Sequence, residues 1–228
     1  MNTHDSLTVA IFAKPPRPGE SKTRLGEALG PESAARLAHA FLDDSLSQLS
    51  RFRALQPVLA TTEPWPRLEF PIPDEFAVWQ QGDGDLGARI ERIMSRALEN
   101  TQTAVALGAD TPGLPEKLMV EAVHGLQAND AVLGRAEDGG FYLLGLRHCP
   151  PGLLRDLPWS QPNTASATQI RLERQGFSVA RASPWFDIDT LRDLHRLQGL
   201  LEREVITAPR TKAALEAYGA LPPLQSES

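Results

Sequence analysis

The sequence predicts an α/β fold in one domain, a mixed and mainly parallel sheet of about seven strands flanked by helices. Three observations carry this. Short apolar runs of strand length alternate along the chain with stretches of 3.6-residue periodicity. Two of the runs, Leu7–Ala13 (LTVAIFA) and Ala104–Leu107 (AVAL), are apolar on both alternating faces, as suits strands buried on both sides of a parallel sheet. The second run breaks at Gly108 and delivers Asp110 just before Pro112, Gly113 and Pro115, so a strand ends, an acid follows and a helix opens. Ligands of open α/β sheets bind at that carboxyl edge. The simpler reading of Asp110 is a cap for the next helix.

The first strand, 7–13, runs into the loop KPPRPGESKTRL, 14–25. Lys14, Arg17, Lys22 and Arg24 fall within eleven positions, opposed only by Glu20. Prolines stiffen this loop, and Gly19 permits a turn or a close backbone approach. A strand, a basic loop and a helix can gather N–H groups and cations on a phosphate. The alternative is a solvated basic loop. The spacing is not that of a Walker loop. Lys14 and Arg17 are expected to matter less than Lys22 and Arg24, because the prolines can aim them outward.

A helical pattern runs from Pro31 to about Ala54, a strand covers 57–61, and four prolines mark 63–73 as loop. After a strand at 77–79 comes the glycine-rich stretch Gln80 to Gly87, which opens a helix over 88–99. The Gln80 and Gln81 amides can both donate and accept, as reading a nucleobase edge requires. A turn with Asp85 as N-cap is the blander reading. A helix over 116–127, a strand over 131–133, a loop over 134–138 and a strand over 141–146 follow. Asp138-Gly139-Gly140 either lets backbone approach a ligand or forms a hairpin turn. Residues 150–162 are irregular, 164–175 are helical up to Gly176, and 177–180 form a strand. Phe186-Asp187-Ile188-Asp189-Thr190 then leads into a helix from about Leu191 to Val205. Asp189 or Thr190 can cap that helix, with Asp189 the favoured capper of the two acids, which leaves Asp187 free for chemistry. The domain is placed at 1–207, with a C-terminal helix and tail at 208–228.

Composition narrows the function. The 228 residues carry 23 basic and 29 acidic side chains, net −6, which argues against a general nucleic-acid surface. A single cysteine, Cys149, allows neither an intrachain disulfide nor a cysteine zinc cluster, and reads as a buried bystander. The five histidines show no ligand spacing. No stretch approaches the roughly 20 apolar residues of a membrane helix. The N-terminus lacks the basic start of a signal peptide, so a cytoplasmic location is expected.

Three features then stand together: the basic loop after the first strand, Asp110 at the end of a central strand, and Asp187-x-Asp189-Thr190 near the C-terminus. Asp110 and Asp187 could hold one divalent cation, with phosphate and water completing its shell, if their two strands neighbour each other in one parallel sheet.

The motifs KPPRPGESKTRL (14–25), QGDGDLGARI (81–90), GADTPGLP (108–115), EDGGFYLLGL (137–146) and FDIDTLRDL (186–194) resemble those of the selenodomain-associated transferase family. That family lies in the nucleotide-diphospho-sugar transferase superfamily, with the glycosyltransferase-A fold. It is similar to the 2-phospho-lactate guanylyltransferases and, more distantly, to molybdenum-cofactor nucleotidyltransferases. The resemblance implies a metal-dependent transferase using a nucleoside diphosphate sugar and a small acceptor. It also allows a nucleotidyltransferase acting on a nucleoside triphosphate and a small phosphorylated acceptor, or a nucleotide-binding module without catalysis. It implies Lys22, Asp110 and Asp138 as catalytic residues. The nucleotide would be bound by Ala13, Lys14, Lys22, Arg24, Gln81, Gly82 and Asp110, with Lys22 and Arg24 on phosphates and Gln81 and Gly82 near base or ribose. Mg²⁺ or Mn²⁺ would sit on Asp110 and Asp187. Two features depart from the wider pattern: the Asp-x-Asp of glycosyltransferases is Ala109-Asp110-Thr111 here, and the basic loop lacks Gly-x-Gly.

Overall fold

A computed structural model describes residues 7–52, 54–67 and 69–224. The N-terminal start and the last residues of the tail lie outside the described residues. Seven strands form one sheet: β1 (Leu7–Ala13), β2 (Leu55–Thr61), β3 (Ala77–Gln80), β4 (Thr103–Gly108), β5 (Ala131–Ala136), β6 (Phe141–Leu146) and β7 (Val179–Trp185). Among the described residues seven helices accompany them: α1 (Thr23–Leu29), α2 (Pro31–Leu49), α3 (Leu86–Leu98), α4 (Glu116–Ala128), α5 (Thr164–Arg174), α6 (Leu191–Glu202) and α7 (Pro209–Tyr218).

The strand order is β3-β2-β1-β4-β6-β5-β7, and the pairings of β6 with β4 and with β5 are antiparallel. The remaining pairings are parallel. Every strand but β6 therefore ends at the same edge. Alternation explains why β4 is apolar throughout. Val105 and Leu107 enter one core with α2 and α4, while Ala104 and Ala106 enter another with α3 and α5. A third cluster lies outside the sheet, where Leu25 of α1 and Phe41 of α2 meet Phe186, Ile188 and the apolar stripe of α6. That packing fixes the two segments carrying Lys22 and Asp187 against each other.

The expected fold is present, with local differences. α1 lies within and beyond the stretch read as basic loop, and Gly30, at φ 84°, separates it from α2. A seven-residue helix is too short to show clear periodicity. α2 stops at Leu49, short of Ala54. β5 continues through 134–136, read as loop, and β7 reaches Trp185 because β5 offers it a partner. The strands before Asp110 and Asp187 are not neighbours: β6 and β5 lie between β4 and β7. α7 packs on α2, where the buried Asp44 carboxylate accepts hydrogen bonds from Arg210 N (3.0 Å) and Thr211 N (2.8 Å). Among the described residues no helix is long and apolar enough to cross a membrane.

Candidate functional site

The basic loop is folded on itself at the carboxyl end of β1. Lys14 Nζ donates to the Glu20 carbonyl, Arg17 pairs with Glu63, and the buried Ser21 hydroxyl donates to the Pro15 carbonyl at 3.4 Å. These contacts engage Lys14 and Arg17 with the protein itself and deliver Lys22 at the N-cap of α1; Lys14 still borders the cavity at this edge of the sheet, and Arg17 does not. Its backbone is left-handed there (φ 50°, ψ 50°), a conformation unusual for a non-glycine residue. Its side chain is only 6% exposed, and Nζ lies 2.8 Å from Asp110 Oδ1 and 2.7 Å from Asp189 Oδ1. Burial alone would depress the ammonium. The charges and hydrogen bonds of Asp110 and Asp189 outweigh burial, and the pKa stands above the usual lysine value.

Although β4 and β7 are separated in the sheet, the chain after β7 returns to the end of β4. Ile188 N donates to the Asp110 carbonyl at 3.0 Å. Asp187 is thereby brought into an acidic neighbourhood. Its carboxyl is pushed up to about 7, first by burial, then by the charges of Asp110 and Asp138, with Asp189 adding and Lys22 opposing. Asp110, Asp187 and Asp189 thus share one ammonium, and Asp138 adds a further negative charge beside Asp187. Asp138 reaches this cluster from the β5–β6 turn, where its Oδ1 accepts from Gly140 N at 2.8 Å. Asp138-Gly139-Gly140 forms the hairpin turn between β5 and β6, and the close approach that its glycines permit is to the Pro162 backbone. Gly139 has φ 92°, and a Cβ there would lie 1.8 Å from the Pro162 carbonyl oxygen.

Asp189 departs from its expected role. Thr190 caps α6 in a reciprocal box, accepting from Asp193 N at 3.3 Å while Asp193 accepts from Thr190 N at 2.8 Å. The Asp189 carboxylate is left for Lys22. The signal was in the sequence, since Thr190 with Asp193 three positions on is a capping-box spacing.

Gln81 also departs from expectation. It is 4% exposed, and its amide nitrogen donates to the Ala60 carbonyl at 2.8 Å and to the Ala13 carbonyl at 3.5 Å. Those bonds tie the ends of β2 and β1 together and leave that amide nitrogen committed to the protein. Gly82 (φ 71°) sits against the Arg92 guanidinium, which donates to the Gln81 and Asp83 carbonyls. Asp85 caps α3 through Ala88 N at 2.9 Å.

A cavity of about 440 Å³ opens at this edge, lined among others by Ala13, Lys22, Arg24, Gln81, Asp110 and Asp189. Arg24 is exposed, and among the described residues it makes no ion pair. Leu86, 42% exposed, also lines this space, and nothing in its sequence context singled it out. Cys149 stands apart, its thiol pushed up to about 11 by burial.

Residues 45–161 match the family described as "Uncharacterized protein conserved in bacteria (DUF2064)". The chain belongs to this family. No curated protein matches it. Among solved structures, this DUF2064 chain is similar to a protein from Desulfovibrio desulfuricans G20 whose assignment as a nucleotide-diphospho-sugar transferase is provisional. The two are 29% identical over 95% of each chain, with a TM-score of 0.84. It also shares its fold with 4-diphosphocytidyl-2C-methyl-D-erythritol synthase from Anaerococcus prevotii DSM 20548, at 11% identity over 89% of this chain and 100% of the other, TM-score 0.60. A CMP:2-keto-3-deoxy-manno-octonic acid synthetase complexed with CTP is similar at 14% identity over 88% and 100%, TM-score 0.55. At these last two identities the likeness is one of fold. The DUF2064 chain therefore has the nucleotide-diphospho-sugar transferase fold that its motifs resemble.

Proposed function

We propose that this chain is a transferase whose donor is a nucleoside diphosphate sugar. One observation carries the reading: at the carboxyl edge of β1 and β4, Lys22, Asp110 and Asp189 line a cavity large enough for a small molecule, and Asp187 lies within electrostatic reach of all three. The similarity to the Desulfovibrio protein and the likeness to selenodomain-associated transferases support the same class of donor. In this reading Arg24, exposed on the cavity, meets the donor's phosphates, and Lys22 adds its charge from below. Leu86 offers an apolar surface to base or ribose, a role that the committed amide nitrogen of Gln81 leaves open.

The donor set fits a divalent cation. Asp110 and Asp187 offer hard oxygen ligands; burial first, and carboxylate crowding second, raise the Asp187 pKa, and a cation would relieve the crowding. Among the described residues no group of three acids, histidines or cysteines forms a metal cluster, so phosphate oxygens would complete the shell. Mg²⁺ or Mn²⁺ held there would screen charge on the phosphates as the donor bond breaks. Asp138, exposed and with one oxygen committed to Gly140 N, is our candidate to receive the acceptor's proton.

The single acid at Ala109-Asp110-Thr111 favours a second reading, nucleotidyl transfer from a nucleoside triphosphate to a small phosphorylated acceptor, as in the guanylyltransferases to which the family that the motifs resemble is similar. Thermal shift with nucleotides, with and without Mg²⁺ or Mn²⁺, tests the shared part; a ligand at 100 times its Kd should stabilise by about 2.7 kcal/mol. Turnover assays then separate the two, by release of nucleoside diphosphate or of pyrophosphate. Binding without turnover across a broad acceptor panel would make the chain a regulatory module instead.

A further inference from the structure

Asp110 is paired with a cation of the protein itself, Lys22. Lys22 is nearly buried, whereas Asp110 and Asp189, at 50% and 44%, are well exposed. Its ammonium is thus placed beneath the two acids and joins the β4–α4 and β7–α6 connections. An ammonium in that position repels a second cation, and repulsion between charges so close is strong at the edge of a protein interior. A phosphate entering between them changes the balance. It brings negative charge to the cavity and gives the ammonium a new acceptor. Lys22 belongs to the loop that lines this cavity, and its side chain has rotatable bonds enough to exchange partners.

We propose that Lys22 is an exchangeable counter-ion: it holds Asp110 and Asp189 while the site is empty and moves to the donor's phosphates on binding, so that divalent ions enter only as the metal–nucleotide complex. This rests on the reading of Asp110 and Asp187 as the metal pair. It adds a binding order, in which the free chain refuses bare metal and accepts metal and nucleotide together.

Calorimetry tests it without any need for turnover. The probes are Mn²⁺ alone and the Mn²⁺ complexes of ADP, CDP, GDP, TDP and UDP. The wild type should bind bare Mn²⁺ weakly and one of the complexes well. Lys22→Met should reverse the order, with bare Mn²⁺ bound about 10-fold tighter and the complex about 10-fold weaker. An unchanged affinity for bare Mn²⁺ in Lys22→Met, or a gain for both probes, overturns the exchange. Circular dichroism melts verify that the variant is folded. If it is not, Lys22→Arg serves: a retained charge should still refuse bare Mn²⁺, and tight binding of bare Mn²⁺ overturns the proposal. Asp187→Asn separates the two levels. If Asp187→Asn loses the Mn²⁺ dependence of nucleotide binding while Lys22→Met behaves like wild type, the metal site stands and only the exchange falls. If no complex binds the wild type, or Asp187→Asn leaves its Mn²⁺ dependence intact, the metal reading falls and takes the exchange with it.

Discussion

The Arg196 guanidinium carbon lies 3.8 Å from the centre of the Phe186 ring, and its two terminal nitrogens donate to the Glu137 carboxylate at 2.6 and 3.0 Å. Phe186 precedes Asp187, and Glu137 precedes Asp138. One side chain of α6 therefore clasps the neighbours of two site acids. Both partners of the ion pair are about half exposed, so its contribution to stability is small. Arg196→Ala should cost about 1 kcal/mol, or roughly 2–4 °C in Tm. Metal-dependent nucleotide binding should weaken more than that loss suggests, because the two acid-bearing turns are released from each other. Equal, small losses in both measurements would reduce the clasp to surface decoration.

The Asp187 carboxyl gives a pH signature. Its folded pKa, about 7, lies above its ordinary value of 3.8. The folded chain thus holds this proton more tightly than the unfolded chain does. Below the ordinary value the group costs nothing; the penalty grows as pH rises toward 7 and is complete above it. The wild type minus Asp187→Asn difference in stability should therefore drift against the wild type between about pH 4 and 7, by on the order of 1–3 kcal/mol after allowing for partial exposure. Denaturant melts of both proteins across that range decide it, and a flat difference contradicts the assignment.

Asp110→Asn should abolish metal-dependent nucleotide binding. It should not stabilise the free chain, although relief of carboxylate repulsion alone would suggest so. The substitution takes one of two counter-charges from an ammonium with 6% side-chain exposure, and a loss of about 1–2 kcal/mol is expected. A variant more stable than wild type would show that repulsion from Asp187 outweighs the bond to Lys22.

Gln81 should behave as a structural residue. Gln81→Leu removes the buried donor to the Ala60 and Ala13 carbonyls, which should cost about 2 kcal/mol in urea melts. Gln81→Glu should cost more, since a carboxylate would face carbonyl oxygens. Nucleotide affinity, measured well below the melting transition, should change much less than for Arg24→Ala, whose loss is expected at roughly 10-fold or more.

Gly139→Ala tests how tightly the Asp138 turn is held. The added methyl meets the Pro162 backbone at a positive φ, so the turn must shift or the 158–163 segment must yield. A fall of several degrees in Tm with weakened binding is expected; a silent variant would mean that the turn is free to move.

Much of this architecture could be read from the chain because its signals are local. β1 and β6 were bounded by apolar runs with clear breaks, and α2 began at a proline. β5 and β7 were read short because their remaining residues become strand only by pairing with each other. The acids Asp110, Asp138 and Asp187 stood out as residue types at strand ends. What they touch did not, since the Ile188–Asp110 contact depends on a return across two intervening strands. The structural bonds of Gln81 were hidden for the same reason, although it does line the cavity. An amide in a glycine-rich loop looks available until the carbonyls of two other strands are brought to it.

The Asp44 lock on α7 bears on how this chain can drift. Its donors are main-chain amides, at 210 and 211, rather than side chains. Arg210 is exposed, so its position can be rewritten with any residue except proline without touching the lock, while Thr211, fully buried, is constrained by size. Asp44 enjoys no such freedom. The polar part of the join between α2 and the last helix thus resides in one side chain, and relatives could differ at the exposed positions of 209–218, though not at the buried Thr211 and Leu215, yet still close the domain in the same way.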